Sequence, residues 1–143
     1  YDLAKARETL TRDALAAREP TMWKWRELLP MPDGVEPVSL GEPETPILRL
    51  ERTAPNLLVK DEGRLPTGSF KARGMAVAVT MARYFGVERI AIPTNGNAGA
   101  ALAAAALTSS RNTTAVESAA LAAIYPNRST TYFSLCGTTR MPR

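Results

Sequence analysis

The stretch SFKARGMAVAVTMARYFGVERIAIPTNGNAGAALAAAAL, Ser69 to Leu107, decides the fold. Met75, Val79 and Ala82 recur at helical spacing up to Tyr84 and Phe85, with Ser69 as a candidate N-cap. Gly86 stands at the C′ position, where a left-handed residue is favoured. Arg89 to Ile92 reads as a short buried-type strand closed by Pro93. Thr94 to Gly99 is a small-residue loop that leads into an alanine helix from about Ala98 to Leu107. Upstream, Ile47 to Leu50 and Asn56 to Lys60 suit short strands, bounded by Pro55 and by Asp61-Glu62-Gly63. The order strand, helix, strand, glycine loop, helix is a right-handed crossover unit and predicts an α/β fold with a parallel sheet. In such sheets ligands bind outside the carboxyl ends of the strands. Loops 61–70 and 93–99 therefore come to one rim if their strands are neighbours.

Further towards the N-terminus, YDLAKARETLTRDALAAR alternates apolar and charged residues at helical spacing and stops at Glu19-Pro20. It predicts one amphipathic helix. Trp23 and Trp25 suit anchors of a packed segment. Prolines 30, 32, 37, 43 and 46 make the next stretch an ordered loop with extended portions.

The composition excludes whole classes of chemistry. With 45% hydrophobic and 22% charged residues, the 143-residue chain is that of a soluble globular protein. The absence of histidine removes Ser/His and Cys/His nucleophile arrangements and every histidine-ligated zinc site. One cysteine, Cys136, can form no internal disulfide, which fits a reducing compartment. No apolar run approaches a membrane span and the N-terminus carries charges where a signal peptide has its apolar region, so a cytoplasmic protein is expected. The net charge of +4 is unevenly spread, +1 over residues 1–106 and +3 over 107–143. With no basic cluster interleaved with aromatics, no nucleic-acid partner is expected.

Lys71 is the conspicuous residue. With Ser69 as N-cap it occupies the second helical position, where backbone N–H groups and the helix dipole disfavour an ammonium, a setting suited to a Schiff-base lysine. A lysine snorkelling to solvent from a helix end is the plain alternative. Gly96 and Gly99 leave the backbone bare, so a planar ligand and an anion can approach the amides of the next helix. An Asn-Gly turn without ligand is the plainer reading of the same residues taken alone. The loop is not the dinucleotide fingerprint, which needs a third glycine.

PTGSFKARG, then a strand and PTNGNAGAALA, resembles the fold-type II pyridoxal-phosphate enzymes, and among them the threonine synthase family. Trp25 to Pro30, Val38 to Glu42, Thr45 to Leu48 and Leu58 to Glu62 resemble that family's segments in their usual order. The likeness covers roughly residues 22–106. It implies an incomplete N-terminal portion of such an enzyme, with pyridoxal 5′-phosphate as cofactor. Lys71 would carry the cofactor and shuttle protons at the substrate carbons, and Asn97 would hydrogen-bond the cofactor ring oxygen. Thr94, Asn95 and the backbone at Gly96 and Ala98 would face the substrate carboxylate. The implied reaction converts O-phospho-L-homoserine and water to L-threonine and phosphate. The resemblance also implies a homodimer for the complete enzyme. A serine/threonine dehydratase, a β-replacing synthase, or a small α/β domain binding a protein partner are the alternatives.

After Ala106 the family pattern is lost to this reading. Residues 107–143 hold 12 Ser/Thr and one acid, with no strand–helix alternation. Residues 1–106 are accordingly expected as the enzyme's N-terminal part and 107–143 as an atypical tail, frame-shifted or disordered, on a truncated chain of little activity alone.

Overall fold

The computed structural model describes residues 2–94, 96–111 and 130–134. The N-terminal amphipathic stretch forms two helices where one was expected, α1 (Leu3–Thr9) and α2 (Arg12–Ala16). Each has its own cap. The Asp2 carboxylate accepts from Lys5 N–H at 3.0 Å, and the Thr11 hydroxyl accepts from Ala14 N–H at 3.1 Å. Leu10 leaves the helical region with ψ at 77° and Thr11 is extended, because a threonine hydroxyl that caps a new helix cannot sit inside the old one. A 3₁₀ helix, Met22–Leu28, follows and is tied back to these helices. Arg18 forks onto Glu27 at 2.6 and 2.8 Å, and the Thr9 hydroxyl donates to the same carboxylate.

The proline-rich stretch contributes buried residues despite having no regular element. Val38, Glu42 and Thr45 are all buried. The Glu42 carboxylate accepts from the Ser39 hydroxyl at 2.6 Å and from Leu40 N–H at 3.1 Å, so this buried acid is satisfied by its own turn. Beyond it, β1 (Ile47–Arg49) pairs antiparallel with β2 (Leu58–Lys60), Leu48 opposite Val59. Every residue of these two strands is exposed.

The central segments form where the sequence places them. Helix α3 (Lys71–Tyr84) ends with Gly86 N–H bonded to Arg83 O and Val87 N–H bonded to Ala82 O, with Gly86 at φ +68°. That is the Schellman ending expected of a C′ glycine. Strand β3 (Arg89–Pro93) turns only Ile90 and Ile92 inward, and α4 (Asn97–Arg111) follows. Val79, Leu102, Ala105 and Ala106 bury against Val38, so α3, α4 and the proline-rich loop share one core, with Met75, Ile90 and Ile92 at its margin. A hydrogen bond from Val38 N–H to the Thr80 hydroxyl, 2.9 Å, fixes the loop to α3.

The parallel sheet is where the structure departs from expectation. Among the described residues both strand pairs are antiparallel, β1 with β2 and β3 with β4 (Thr130–Ser134). The crossover β2–α3–β3 is present, but its strands do not pair. A parallel layer is covered on both faces, whereas Leu58 and Val59 are open to solvent, and β2 is taken by a partner closed through a short connection. Residues past 106 also take part: α4 runs unbroken to Arg111 and β4 supplies the partner of β3. Among the described residues no helix is long and apolar enough to cross a membrane.

Candidate functional site around Lys71

Lys71 is the first residue of α3, one position earlier in the helix than the sequence suggests. The cap is Phe70, already helical at φ −58° and ψ −16°, and no side chain caps the helix. Ala72 N–H bonds to Ser69 O and Arg73 N–H to Phe70 O, so the chain enters through a tight 3₁₀-type turn. That entry removes the extended geometry a capping Ser69 needs. The Lys71 ammonium lies 4.6 Å from the centroid of the Phe70 ring, a cation–π contact, and its side chain is half-buried.

The turn before it holds unsatisfied groups. Gly68 adopts φ +68° and its N–H bonds to Leu65 O. On either side, the hydroxyls of Thr67 and Ser69 are buried with no hydrogen-bond partner. Each such orphan costs about 1–3 kcal/mol, which a polar atom of a bound group would recover.

Two residues beyond Lys71, Arg73 ties α3 to the preceding segments. Its Nε and Nη2 donate to the two oxygens of Glu62 at 2.7 and 3.0 Å, and Nη2 also donates to Pro43 O at 3.2 Å. The Thr45 hydroxyl donates to Glu62, and Lys60 donates to Thr45 O at 2.5 Å. The bond from Arg73, ahead of the burial that opposes it, holds the Glu62 carboxyl down at about 2. Arg18 does the same to Glu27, also about 2. The Glu62–Arg73 pair edges an otherwise largely apolar cavity of about 780 Å³, with Met22, Trp25, Leu29 and Val77 in its wall.

The second loop lies at the head of α4. The Thr94 hydroxyl accepts from Gly96 N–H and from Gly99 N–H, both at 3.0 Å. Gly96 has φ +138° with open space where a Cβ would stand, a conformation that requires glycine. Asn97 begins α4 and is exposed, Ala98 is half-buried, and Asn95 lies outside the described residues. Among the described residues no hydrogen bond joins Lys71 to this loop, and neither the cavity beside Arg73 nor the one beside Arg18 and Glu27 is lined by Lys71 or by residues 94–99. Sequence reading missed Thr67, Glu62 and Arg73. The one available signal was an arginine two places after the lysine on the same helix.

This pairing of a lysine-headed helix with a glycine loop heading the next helix has a known class. The chain belongs to the pyridoxal-phosphate dependent enzymes, whose family pattern matches residues 38–119. The match passes Ala106, where the sequence alone lost the likeness. Within that class the chain is similar to threonine synthases. That of Methanocaldococcus jannaschii is 41% identical over 109 residues, 73% of this chain and 27% of the relative. That of Methanosarcina acetivorans is 40% identical over 108 residues, 72% and 26%, and that of Mycobacterium leprae 43% over 84 residues, 56% and 23%. The chain thus spans about a quarter of the length of these curated relatives. No solved structure matches. The residues around Lys71 fit the family's cofactor, because orphaned buried hydroxyls precede the amine and bare backbone at Gly96 leaves room for a planar group.

Proposed function

We propose that these residues are the lysine-bearing part of a cytoplasmic, threonine synthase-like enzyme, homodimeric when complete, that converts O-phospho-L-homoserine and water to L-threonine and phosphate. The observation that carries the reading is Lys71 itself: a half-buried lysine at the head of a packed helix, preceded in the adjoining turn by the orphaned hydroxyls of Ser69 and, one glycine earlier, Thr67. Lys71 would hold pyridoxal phosphate through Nζ, and Asn97 would hold it through its side-chain amide. The cofactor, when bound, supplies the electron sink. Lys71 Nζ then carries protons to and from the substrate carbons.

Loop 94–98 would bind the substrate carboxylate, and the Thr94 hydroxyl supports this. A hydroxyl accepts twice and donates once. Both acceptor positions of Thr94 are taken by amides, so only its proton is left to offer, which suits an anion. Gly96, Ala98 and Asn95 would complete the contact with the carboxylate.

Titration of the chain with pyridoxal 5′-phosphate tests the reading. A visible absorption band is expected with the wild type and is lost in Lys71→Ala. A folded wild-type chain that develops no band overturns it. Phosphate release from O-phospho-L-homoserine, against oxo-acid release from threonine or serine, separates the synthase from a dehydratase.

A further inference from the structure

The first turn of α3 has little of its own to hold it. No side chain caps it, no acidic residue lies in it, and Gly74 closes it without a contact within 4 Å to restrain a side chain there. Its one buried residue, Ala72, is small. Yet this turn sets where Lys71 points.

We infer that Arg73, through its fork onto Glu62 and its reach to Pro43 O, is the positioning residue that fixes Lys71 for the cofactor; the inference rests on the cofactor reading of Lys71. The guanidinium joins three separate segments: α3, the turn at Glu62 and the loop at Pro43–Thr45. A two-point fork fixes a plane as well as a distance, which a lysine at the same position cannot do. Both partners are about three-quarters removed from solvent, and Thr45, which donates to the same carboxylate, is buried. Lys71, as the first helical residue, is the first to be released when the turn frays.

The test compares the full 143-residue wild type with Arg73→Gln, Glu62→Gln, the double variant and Arg73→Lys. Each is treated with pyridoxal 5′-phosphate and borohydride, and the label on Lys71 is measured by peptide mass spectrometry against that on exposed Lys5. The Lys71-to-Lys5 ratio is expected to fall about tenfold or more in each single glutamine variant, and no further in the double, with far-ultraviolet dichroism unchanged. Arg73→Lys, which keeps charge and bulk, is expected to show a similar loss and is read in place of Arg73→Gln if that variant does not fold. Wild-type ratios in the folded single variants overturn the inference. If wild-type Lys71 is labelled no faster than Lys5, the cofactor reading fails, and acylation by acetic anhydride reads Lys71 position without cofactor. The Lys71-to-Lys5 acylation ratio is then expected to rise when Arg73 is replaced, and an unchanged ratio overturns the positioning role.

Discussion

Thr80 shows how one side chain can carry a tertiary contact. Its hydroxyl accepts from Val38 N–H at 2.9 Å and donates to Ala76 O at 2.7 Å, while the residue is 1% exposed. Thr80→Val keeps the shape and leaves a buried N–H without an acceptor. Urea denaturation is expected to show a loss of about 1–3 kcal/mol, with Thr80→Ser recovering most of it. Such bonds are invisible in sequence, because Val38 and Thr80 are 42 residues apart and each reads as an ordinary loop or helix residue. The same reason hid Arg73, whose partners lie 11 and 30 positions upstream. Lys71 and the glycine loop were legible, because their signals are local: a lysine opening an apolar helix, and small residues opening the next. What Thr94 does was not legible, since a hydroxyl accepting from two amides depends on backbone direction.

Among the elements, Gly74 within α3 and Gly86 just past its end predict opposite effects. Gly86 holds φ +68° with no atom within 4 Å of a built Cβ, so Gly86→Ala meets backbone strain alone and is expected to lower stability by about 1 kcal/mol. Gly74 has ordinary helical φ and equally open space, so Gly74→Ala is expected to raise stability by about 0.5–1 kcal/mol. Thermal unfolding of both variants checks the pair of signs. The ending of α3 was legible because a glycine after two aromatics admits few structures. Its beginning was not. Ser69 has the right identity for a cap, but the tight turn at Gly68 brings Phe70 into the helix first. Likewise, a threonine in mid-pattern divided the N-terminal helix, where apolar spacing alone favoured continuity.

Across the whole molecule, two carboxylates link acidity to stability. Glu27 and Glu62 both titrate at about 2 in the folded chain, against an ordinary 4.5. The folded state therefore binds fewer protons than the unfolded one between these values. The stability they contribute is fully present above 4.5 and is lost as pH falls towards 2. Denaturation midpoints from pH 5 to about 2 are expected to fall, and to fall less steeply in Glu27→Gln and Glu62→Gln; parallel slopes would contradict the assignment. The alternation of strands and helices was readable at this scale. Strand pairing was not, because direction and neighbour depend on which faces become covered, and the exposed strands β1 and β2 are covered on neither.

The core itself constrains the order of events during folding. Val38 is buried against Val79 and against Leu102, Ala105 and Ala106, so its members span nearly half the chain. A nascent polypeptide that has emerged only as far as α3 has Thr80 to meet Val38, but none of the α4 side chains that exclude water from that bond. Closing so long a loop costs entropy before burial repays it. Consolidation of the core therefore waits for α4, and the segment that carries Lys71 gains its lasting order only after the ribosome has moved well beyond it.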